Sequence, residues 1–311
     1  MGRYFIKNTD KIRSMFKLLI VFNRNAGSGK AQQFLPLIKQ YLDNKGIACD
    51  WLFTESQGHA KILIEQADLN PYSAVIAAGG DGTLFETVNG LMTHDALARK
   101  PFGVVPVGTG NAFSRELGLQ PSDWKKGLDI ILSRQTQDID LGHVKCTDES
   151  FYFLNIIGMG FVVEAGKTTL KIKKLGKVSY TLATLWETIK LKKHRIKVTI
   201  DDMVIDDDLV FIEVANSRYT GTSFLIAPDA KIDDGLLDVI ILEKISRPKI
   251  LSLFPTIYSG KHVNYKEIKT HQAKKITIET QAPMPLMPDG EFIGTTPVTI
   301  TCKPAALKLF N

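Results

Sequence analysis

The chain has 311 residues, 44% hydrophobic and 23% charged, a balance that suits one large or two ordinary globular domains and argues against disorder. No apolar run approaches the roughly 18 residues a membrane-spanning helix needs; the richest, Phe153 to Val163, contains Asn155 and two glycines and reads as a buried strand and turn. The cysteines Cys49, Cys146 and Cys302 form no CxxC pair, which speaks against a zinc site or a disulfide framework and fits a reducing cytoplasm.

Residues 1–14 carry Arg3, Lys7, Lys11 and Arg13 but no apolar core, and read as a loose extension rather than a signal peptide. From there, strand and helix signals alternate. Lys17–Asn23 is a continuous apolar run, the mark of a buried strand. Ala31–Asn44 spaces Phe34, Leu37, Ile38, Tyr41 and Leu42 helically, with Gly46 as a stop. Strands at Cys49–Thr54, Tyr72–Ala78 and Phe102–Val107 follow, separated by helices at His59–Ala67 and around Leu84–Met92. A short helix ends at Gly118. This rhythm predicts a Rossmann-like α/β domain with a parallel sheet over residues 15–137, completed by the C-terminal end at about 300–311. Ligands of such sheets bind beyond the carboxyl ends of the strands.

After residue 138, strands follow one another at 151–157, 195–200, 209–215, 236–242, 274–279 and 298–302. Asp-rich turns at Asp201-Asp202 and Asp206–Asp208 separate several of them. The expectation is a mainly antiparallel β-sandwich over 138–299, with helices at about 165–193 and 247–259.

The net charge of +6 is unevenly placed: between Lys167 and Lys197 ten Lys/Arg face one acid, Glu187. Such a block is either a solvated helix face or an attraction for anionic lipid head groups. Aromatic residues are sparse there, only Tyr180 and Trp186, and no nucleic-acid motif accompanies it.

Three glycine-rich loops follow three strands of the first domain. Asn23-Arg24-Asn25-Ala26-Gly27-Ser28-Gly29-Lys30 fails the P-loop pattern, which would need Gly at 24 and Ser or Thr at 31, yet its small residues before a helix expose N–H groups that favour phosphate. Gly79-Gly80-Asp81-Gly82-Thr83 lets the backbone approach a ligand closely. Asp81 stands where a carboxylate orders magnesium-bound water, Thr83 where a hydroxyl bonds phosphate or caps a helix. Glu86 lies one turn further, and Asn89 three residues on. Gly108-Thr109-Gly110-Asn111 repeats the strand, glycine loop, helix arrangement, and two such loops on neighbouring strand ends make a nucleotide cradle. Far along the chain, Asp289-Gly290-Glu291 is either a hairpin turn, for which Asp-Gly is a common signal, or a carboxylate source for orienting an acceptor hydroxyl.

Together, GGDGT with Glu86 and Asn89, then GTGN, then a distal DGE resemble the diacylglycerol kinase catalytic-domain family, which includes bacterial soluble lipid kinases and is related to sphingosine kinases. The resemblance runs from about Lys17 to the C-terminus. It implies an ATP-dependent lipid kinase that phosphorylates the hydroxyl of diacylglycerol or a related lipid. Asn23, Arg24, Asn25, Ala26, Gly27, Thr54, Gly79, Gly80, Asp81, Gly82, Thr83, Glu86, Gly108, Thr109, Gly110 and Asn111 would line the nucleotide, and Asp81 would help hold its magnesium. Glu291 resembles the residue usually named as proton acceptor, with Asp289 a close rival. The stretch from Lys231 to Asp238 resembles a structural magnesium site, in which Asp234 would ligate by its side chain and Lys231 and Leu236 by main-chain carbonyls. The implied cofactors are ATP and Mg2+. The implied partners are a lipid substrate and an anionic membrane surface in peripheral contact, without nucleic acid; a homodimer is allowed. The implied place is the cytoplasm, at the membrane periphery.

The chain departs from the family pattern at three points. Ala112-Phe113 follow GTGN where bacterial members often have Asp, Asn23-Arg24 replaces Asn-Pro, and Glu164 stands where a smaller residue is common. A soluble-substrate kinase such as NAD kinase shares GGDGT and is one rival; a non-catalytic lipid- or nucleotide-binding regulator is another.

Overall fold

The computed structural model describes residues 16–171, 183, 186–188, 190–221 and 223–311. The chain divides into two compact units, Met1–Gln137 with Leu307–Asn311, and Asp138–Ala306.

The first unit is a parallel α/β layer. In chain order it holds β1 (Lys17–Phe22), α1 (Ala31–Asn44), β2 (Ala48–Phe53), α2 (His59–Glu65), β3 (Ala74–Gly79), α3 (Asp81–Leu91), β4 (Phe102–Pro106), a 3-10 turn at Phe113–Arg115, and α4 (Trp124–Ser133). The strands lie in the order β2-β1-β3-β4. β1, β3 and β4 are apolar almost throughout because helices cover both faces, which removes the alternation of a half-exposed strand. Leu309, from the chain's last strand, pairs in parallel with Phe102 at the β4 edge. One core joins Leu18, Ile20 and Phe22 of β1, Ile38 and Leu42 of α1, and Leu128 and Ile131 of α4. Each such side chain contributes about 1.5–3 kcal/mol on burial.

Helix α4 was not anticipated. Its apolar residues Trp124, Leu128 and Ile131 are helically spaced, but Gly127 weakens the signal. That glycine is needed: a Cβ there would come 2.6 Å from the Val104 carbonyl oxygen, so the helix lies directly on β4.

The second unit is mainly antiparallel. It contains β5 (Thr136–Lys145, whose first two residues belong to the first unit), β6 (Ser150–Phe153), β7 (Ile156–Gly160), α5 (Phe161–Lys171), β8 (His194–Ile200), β9 (Met203–Leu209) and β10 (Phe211–Ala215). The short β11 (Tyr219–Thr220) and β12 (Phe224–Leu225) follow, then β13 (Leu237–Leu242), α6 (Arg247–Leu253), β14 (Ile268–Ala273), β15 (Lys275–Thr280), β16 (Leu286–Pro288) and β17 (Val298–Phe310), whose residues from Leu307 on belong to the first unit. One sheet runs β14-β13-β10-β7-β16; in the other, β15 pairs with β17 and β8, and β8 with β9.

Several boundaries differ from expectation. The single strand read at 151–157 is two, β6 and β7, broken at Leu154-Asn155. Asp206–Asp208, read as a turn, lies inside β9: Asp206 and Asp208 stand opposite Lys197 and Arg195 of β8, and the Arg195 Nε to Asp206 Oδ1 distance is 2.8 Å. Cross-strand charge pairing offsets the poor strand propensity of three successive aspartates. Strands β5 and β14 were missed, and β17 runs well past residue 302. Of the helix expected at 165–193, α5 is the described start; residues 172–182, 184, 185 and 189 lie outside the described residues, and Lys173, Lys174 and Lys177 of the basic block with them. Among the described residues no helix is long and apolar enough to cross a membrane.

An unexpected acid sits at the centre of the five-stranded sheet. Glu213 of β10 is 4% exposed, lies between Gly158 and Ile240 in register, and its Oε2 has no hydrogen-bond partner. Burial pushes its carboxyl up to about 8. A folded-state value raised above the ordinary 4.5 means that Glu213 favours folding most below pH 4.5, and that this contribution is lost as pH rises to about 8. Denaturant titrations at pH 5, 7 and 9 should therefore show wild-type stability falling relative to Glu213→Gln, by up to about 4 kcal/mol on the scale of about 1.36 kcal/mol per pH unit. Parallel pH profiles for the two proteins would mean that Glu213 is already ionised at neutral pH.

Candidate functional site

In the first unit the three glycine loops converge at the carboxyl ends of β1, β3 and β4. The Asn23 side chain makes two connections. Its Oδ1 accepts the Asn25 N–H at 2.9 Å, which curls the first loop, and its Nδ2 donates to Thr83 Oγ1 at 3.1 Å, which ties that loop to the second. Gly27, at φ +62°, lies against the third loop: a Cβ there would come 3.0 Å from the Val107 carbonyl oxygen. The second and third loops touch through backbone, since a Cβ on Gly108 would fall 2.4 Å from Gly80 Cα. Likewise a Cβ on Gly79 would fall 2.3 Å from Thr83 Oγ1, which gives Gly79 its packing reason. Beside the loops, Thr54 is buried, and the exposed Arg24 guanidinium lies over the Phe53 ring at 3.9 Å from its centroid.

The acids of this region hold backbone. Asp81 Oδ2 accepts the Ala112 N–H at 3.0 Å and Oδ1 accepts the Phe113 N–H at 3.3 Å, so its carboxylate caps the 3-10 turn after the third loop. Burial raises its carboxyl to about 6, opposed by those two N–H groups and by the Arg115 guanidinium. Glu86 Oε1 and Oε2 accept the Gly58 and Ala60 N–H groups at 2.7 and 3.0 Å, which makes it the cap of α2. Asn89 donates from Nδ2 to Phe85 O at 2.8 Å within its own helix.

Asn111 differs. It adopts the left-handed conformation at φ +50°, donates from Nδ2 to Gly108 O at 2.8 Å, and leaves Oδ1 buried without a donor. Thr109 is exposed beside it, and Gly82 and Gly110 are half-buried. A buried, unpartnered oxygen in a phosphate-type cradle suits a ligand's N–H or O–H, including the water of a magnesium ion, so the residues present fit a metal-bound nucleotide.

In the second unit, Asp289 and Gly290 both have positive φ, +48° and +87°, and the Glu291 N–H donates to Pro288 O at 2.7 Å. This is the tight turn that Asp-Gly predicts. The hairpin-turn reading of this stretch holds. Asp289 Oδ2 accepts the Leu154 N–H at 2.8 Å, and Oδ1 accepts those of Asn155 and Ile156 at 2.8 and 3.1 Å. These amides lie at the break between β6 and β7, and the carboxylate accounts for that break. Phe292, next to Glu291, is 37% exposed.

The loop from Lys231 to Leu236 is organised by Asp140, which the sequence reading missed. Asp140 Oδ2 accepts the Gly235 N–H at 2.6 Å, Oδ1 accepts the Ala305 N–H at 2.8 Å, and its own N–H donates to Ile232 O at 2.6 Å. Asp234 Oδ1 accepts the Leu236 N–H at 3.1 Å. An aspartate with 2% exposure inside the strand run Ile139 to Leu141 was the available signal. Among the described residues no group of three or more His, Cys, Asp or Glu is placed to hold a metal. The set read from the sequence, one carboxylate and two carbonyls, is of a different kind.

Two family profiles match the chain: the diacylglycerol kinase catalytic domain over residues 17–144, and the YegS C-terminal NAD kinase beta sandwich-like domain over residues 155–311. A diacylglycerol kinase of Mycobacterium tuberculosis (strain ATCC 25618 / H37Rv) is 30% identical over 95% of this chain and 95% of its own length. The diacylglycerol kinase of Bacillus subtilis (strain 168) is 29% identical over 91% of this chain and 92% of its own. The crystal structure of a diacylglycerol kinase from Bacillus anthracis str. Sterne superposes with a TM-score of 0.77 at 29% identity, covering 95% of this chain and 96% of that one.

The contact between the second and third loops gives a direct test. In Gly108→Ala the new methyl meets backbone, which cannot rotate away. The variant should lose about 1–3 kcal/mol of stability, as overpacked sites do. Its ATP affinity, read by calorimetric titration, should fall at least about tenfold, the equivalent of about 1.4 kcal/mol. Unchanged affinity would mean that the loop spacing does not shape the nucleotide site.

Proposed function

The chain belongs to the diacylglycerol kinase family, and from that premise we propose that it transfers the γ-phosphoryl group of ATP to the hydroxyl of diacylglycerol or a related lipid. Family membership makes it a phosphotransferase with an alcohol acceptor and a lipid kinase fold. ATP as donor, magnesium as companion and the named residue roles are the proposal.

In this reading the backbone N–H groups of Gly80 to Thr83 and of Thr109, with the Asn23 and Thr83 side chains, hold the phosphates. Asn111 and Asp81 would hold the metal through its bound water. Magnesium, when bound, supplies positive charge to the phosphoryl oxygens. The acceptor oxygen attacks the γ-phosphorus, the bond to the β,γ-bridging oxygen breaks, ADP departs, and the hydroxyl proton passes to a carboxylate. The observation that carries the assignment of that carboxylate is Asp289's set of three N–H donors. Bonds to charged groups contribute about 1.5–3 kcal/mol each, so protonating Asp289 would disrupt the turn that presents it. Glu291, next along that turn, is the proton acceptor, and Asp289 positions it. Lys231, Asp234 and Leu236 are retained as a structural magnesium site of the second unit.

Purified protein incubated with γ-labelled ATP, magnesium and detergent-dispersed lipids should label a lipid, and should leave NAD and fructose 6-phosphate unlabelled. Glu291→Gln should lower turnover by at least about a hundredfold, the low end for a general base, with its melting temperature held. Asp289→Asn should lower turnover and melting temperature together, the latter by about 5 °C for a loss near 2 kcal/mol. Label on NAD alone, or full activity in Glu291→Gln, would overturn the assignment.

Lipid delivery calls for contact with an anionic membrane surface, and the stretch from Lys167 to Lys197 is proposed for it. Gln at Lys173, Lys174, Lys192 and Lys193 should weaken cosedimentation with anionic vesicles, most at low salt. Equal sedimentation at all salt concentrations would remove that role.

A further inference from the structure

Asn155 stands at the break between β6 and β7, and its polar groups are tied into the fold in every direction but one. Its N–H donates to Asp289 Oδ1 at 2.8 Å. Its carbonyl accepts the Asn216 and Ser217 N–H groups at 2.7 and 3.2 Å. Its side-chain Oδ1 accepts the Ser217 hydroxyl at 2.9 Å. None of these bonds uses Nδ2, which leaves the donor end of the amide outside this network. The residue is 4% exposed and Ser217 is completely buried, so the planar amide, held by its oxygen, has the direction of Nδ2 fixed with it. Pro288 of β16 stands opposite Ile157 of β7, and the Asp289 N–H extends that ladder to Ile156 O at 2.9 Å. Asn155 is the next residue on that side, beside the turn that runs from Asp289 to Glu291.

We infer that Asn155 is a further catalytic residue, whose Nδ2 donates a hydrogen bond to the oxygen of the acceptor hydroxyl and holds that oxygen with its proton toward Glu291. The inference rests on the lipid kinase reading and adds a group to its acceptor site. An attacking hydroxyl must be held in place, with one lone pair on the phosphorus and its O–H directed at the base. Glu291 alone fixes the hydroxyl along one direction and leaves it free to swing about that single bond. A donor on the remaining lone pair removes the freedom. A neutral amide suits the position, because a lysine there would pair with Asp289 or Glu291 and take up the charge that the reaction uses. In the step itself the acceptor oxygen bonds to phosphorus, the bridging oxygen leaves with ADP, the hydroxyl proton passes to Glu291, and Asn155 keeps both of its protons. Ser217 acts through Asn155 and is a positioning residue.

The test separates this role from a purely structural one. Ser217→Ala removes the bond that orients the amide but keeps Nδ2. Adding Asn155→Ala then removes Nδ2 from a protein in which that bond is already gone. With dioleoylglycerol in nonionic detergent micelles, or the related lipid that the wild-type protein labels, kcat should fall less than about tenfold in Ser217→Ala and at least about a further tenfold in Ser217→Ala/Asn155→Ala. The KM for ATP should hold, and the two variants should melt together. Asn155→Asp keeps an oxygen for the Ser217 hydroxyl and places a carboxylate near Glu291. Its kcat should also fall at least about tenfold, and the acid limb of its pH profile should move to higher pH, since like charge raises the value of the base. Equal kcat in the single and double variants, or wild-type kcat in Asn155→Asp, would overturn the inference while leaving the kinase reading in place. A fall in kcat matched by a lower melting temperature in the double variant, with the acid limb of Asn155→Asp unmoved, would make Asn155 a structural tie and overturn it too. No labelled lipid from the wild-type protein would remove the kinase reading and the inference together.

Discussion

The carboxylate of Asp289 sets the arrangement of the second unit's candidate chemistry. Three consecutive amides, those of Leu154, Asn155 and Ile156, point at one side chain more than 130 residues away in sequence. The chain at 154–155 leaves the ladder between β6 and β7, so these N–H groups need another acceptor. An ionised carboxylate satisfies all three, and charge-assisted bonds are about twice as strong as neutral ones. Their number holds Asp289 in place, and its left-handed backbone turns the next residues back through Gly290 to Glu291. In the proposed mechanism, two neighbouring carboxylates thereby take different roles.

The same device recurs twice in the first unit and once more in the second, and in each case the acid holds backbone. Asp81 caps the turn after the third loop, Glu86 caps α2, and Asp140 holds the loop before β13. Four acids that sequence reading assigns to ligands or passes over are first of all anchors of main chain. In the first unit, what they anchor are the loops for which nucleotide binding is proposed. Close packing of these loops leaves little room for side chain: Gly79 and Gly108 lie where one added methyl would strike its neighbour.

Legibility in the sequence follows from the range of the interactions. The parallel strands were readable because continuous apolar runs are local signals, and the glycine loops because their residue types are needed at fixed short spacing. Helix α4 was obscured by Gly127, whose reason is a contact with β4 some twenty residues earlier. The aspartates of β9 read as a turn because propensity is local, whereas the basic residues of β8 that stand opposite them come from pairing. Asp140 and Glu213 escaped notice for a related reason. A single acid within an apolar stretch has no motif, and only the fold shows that one meets the Gly235 and Ala305 amides while the other meets none.

Two departures from the family pattern become intelligible in the same terms. Where relatives usually have Asn-Pro, this chain has Asn23-Arg24. Proline there would preset the backbone, but the Asn23 side chain already sets the turn by accepting the Asn25 N–H, and Arg24 gains a seat over Phe53. Where bacterial members often place Asp after GTGN, this chain has Ala112-Phe113. Their side chains are buried, and their contribution to the cradle is the pair of N–H groups that Asp81 binds. An aspartate at position 112 would bring a second carboxylate close to Asp81, whose carboxyl burial already raises, and like charge would raise it further. Alanine at that position adds no further carboxylate beside Asp81.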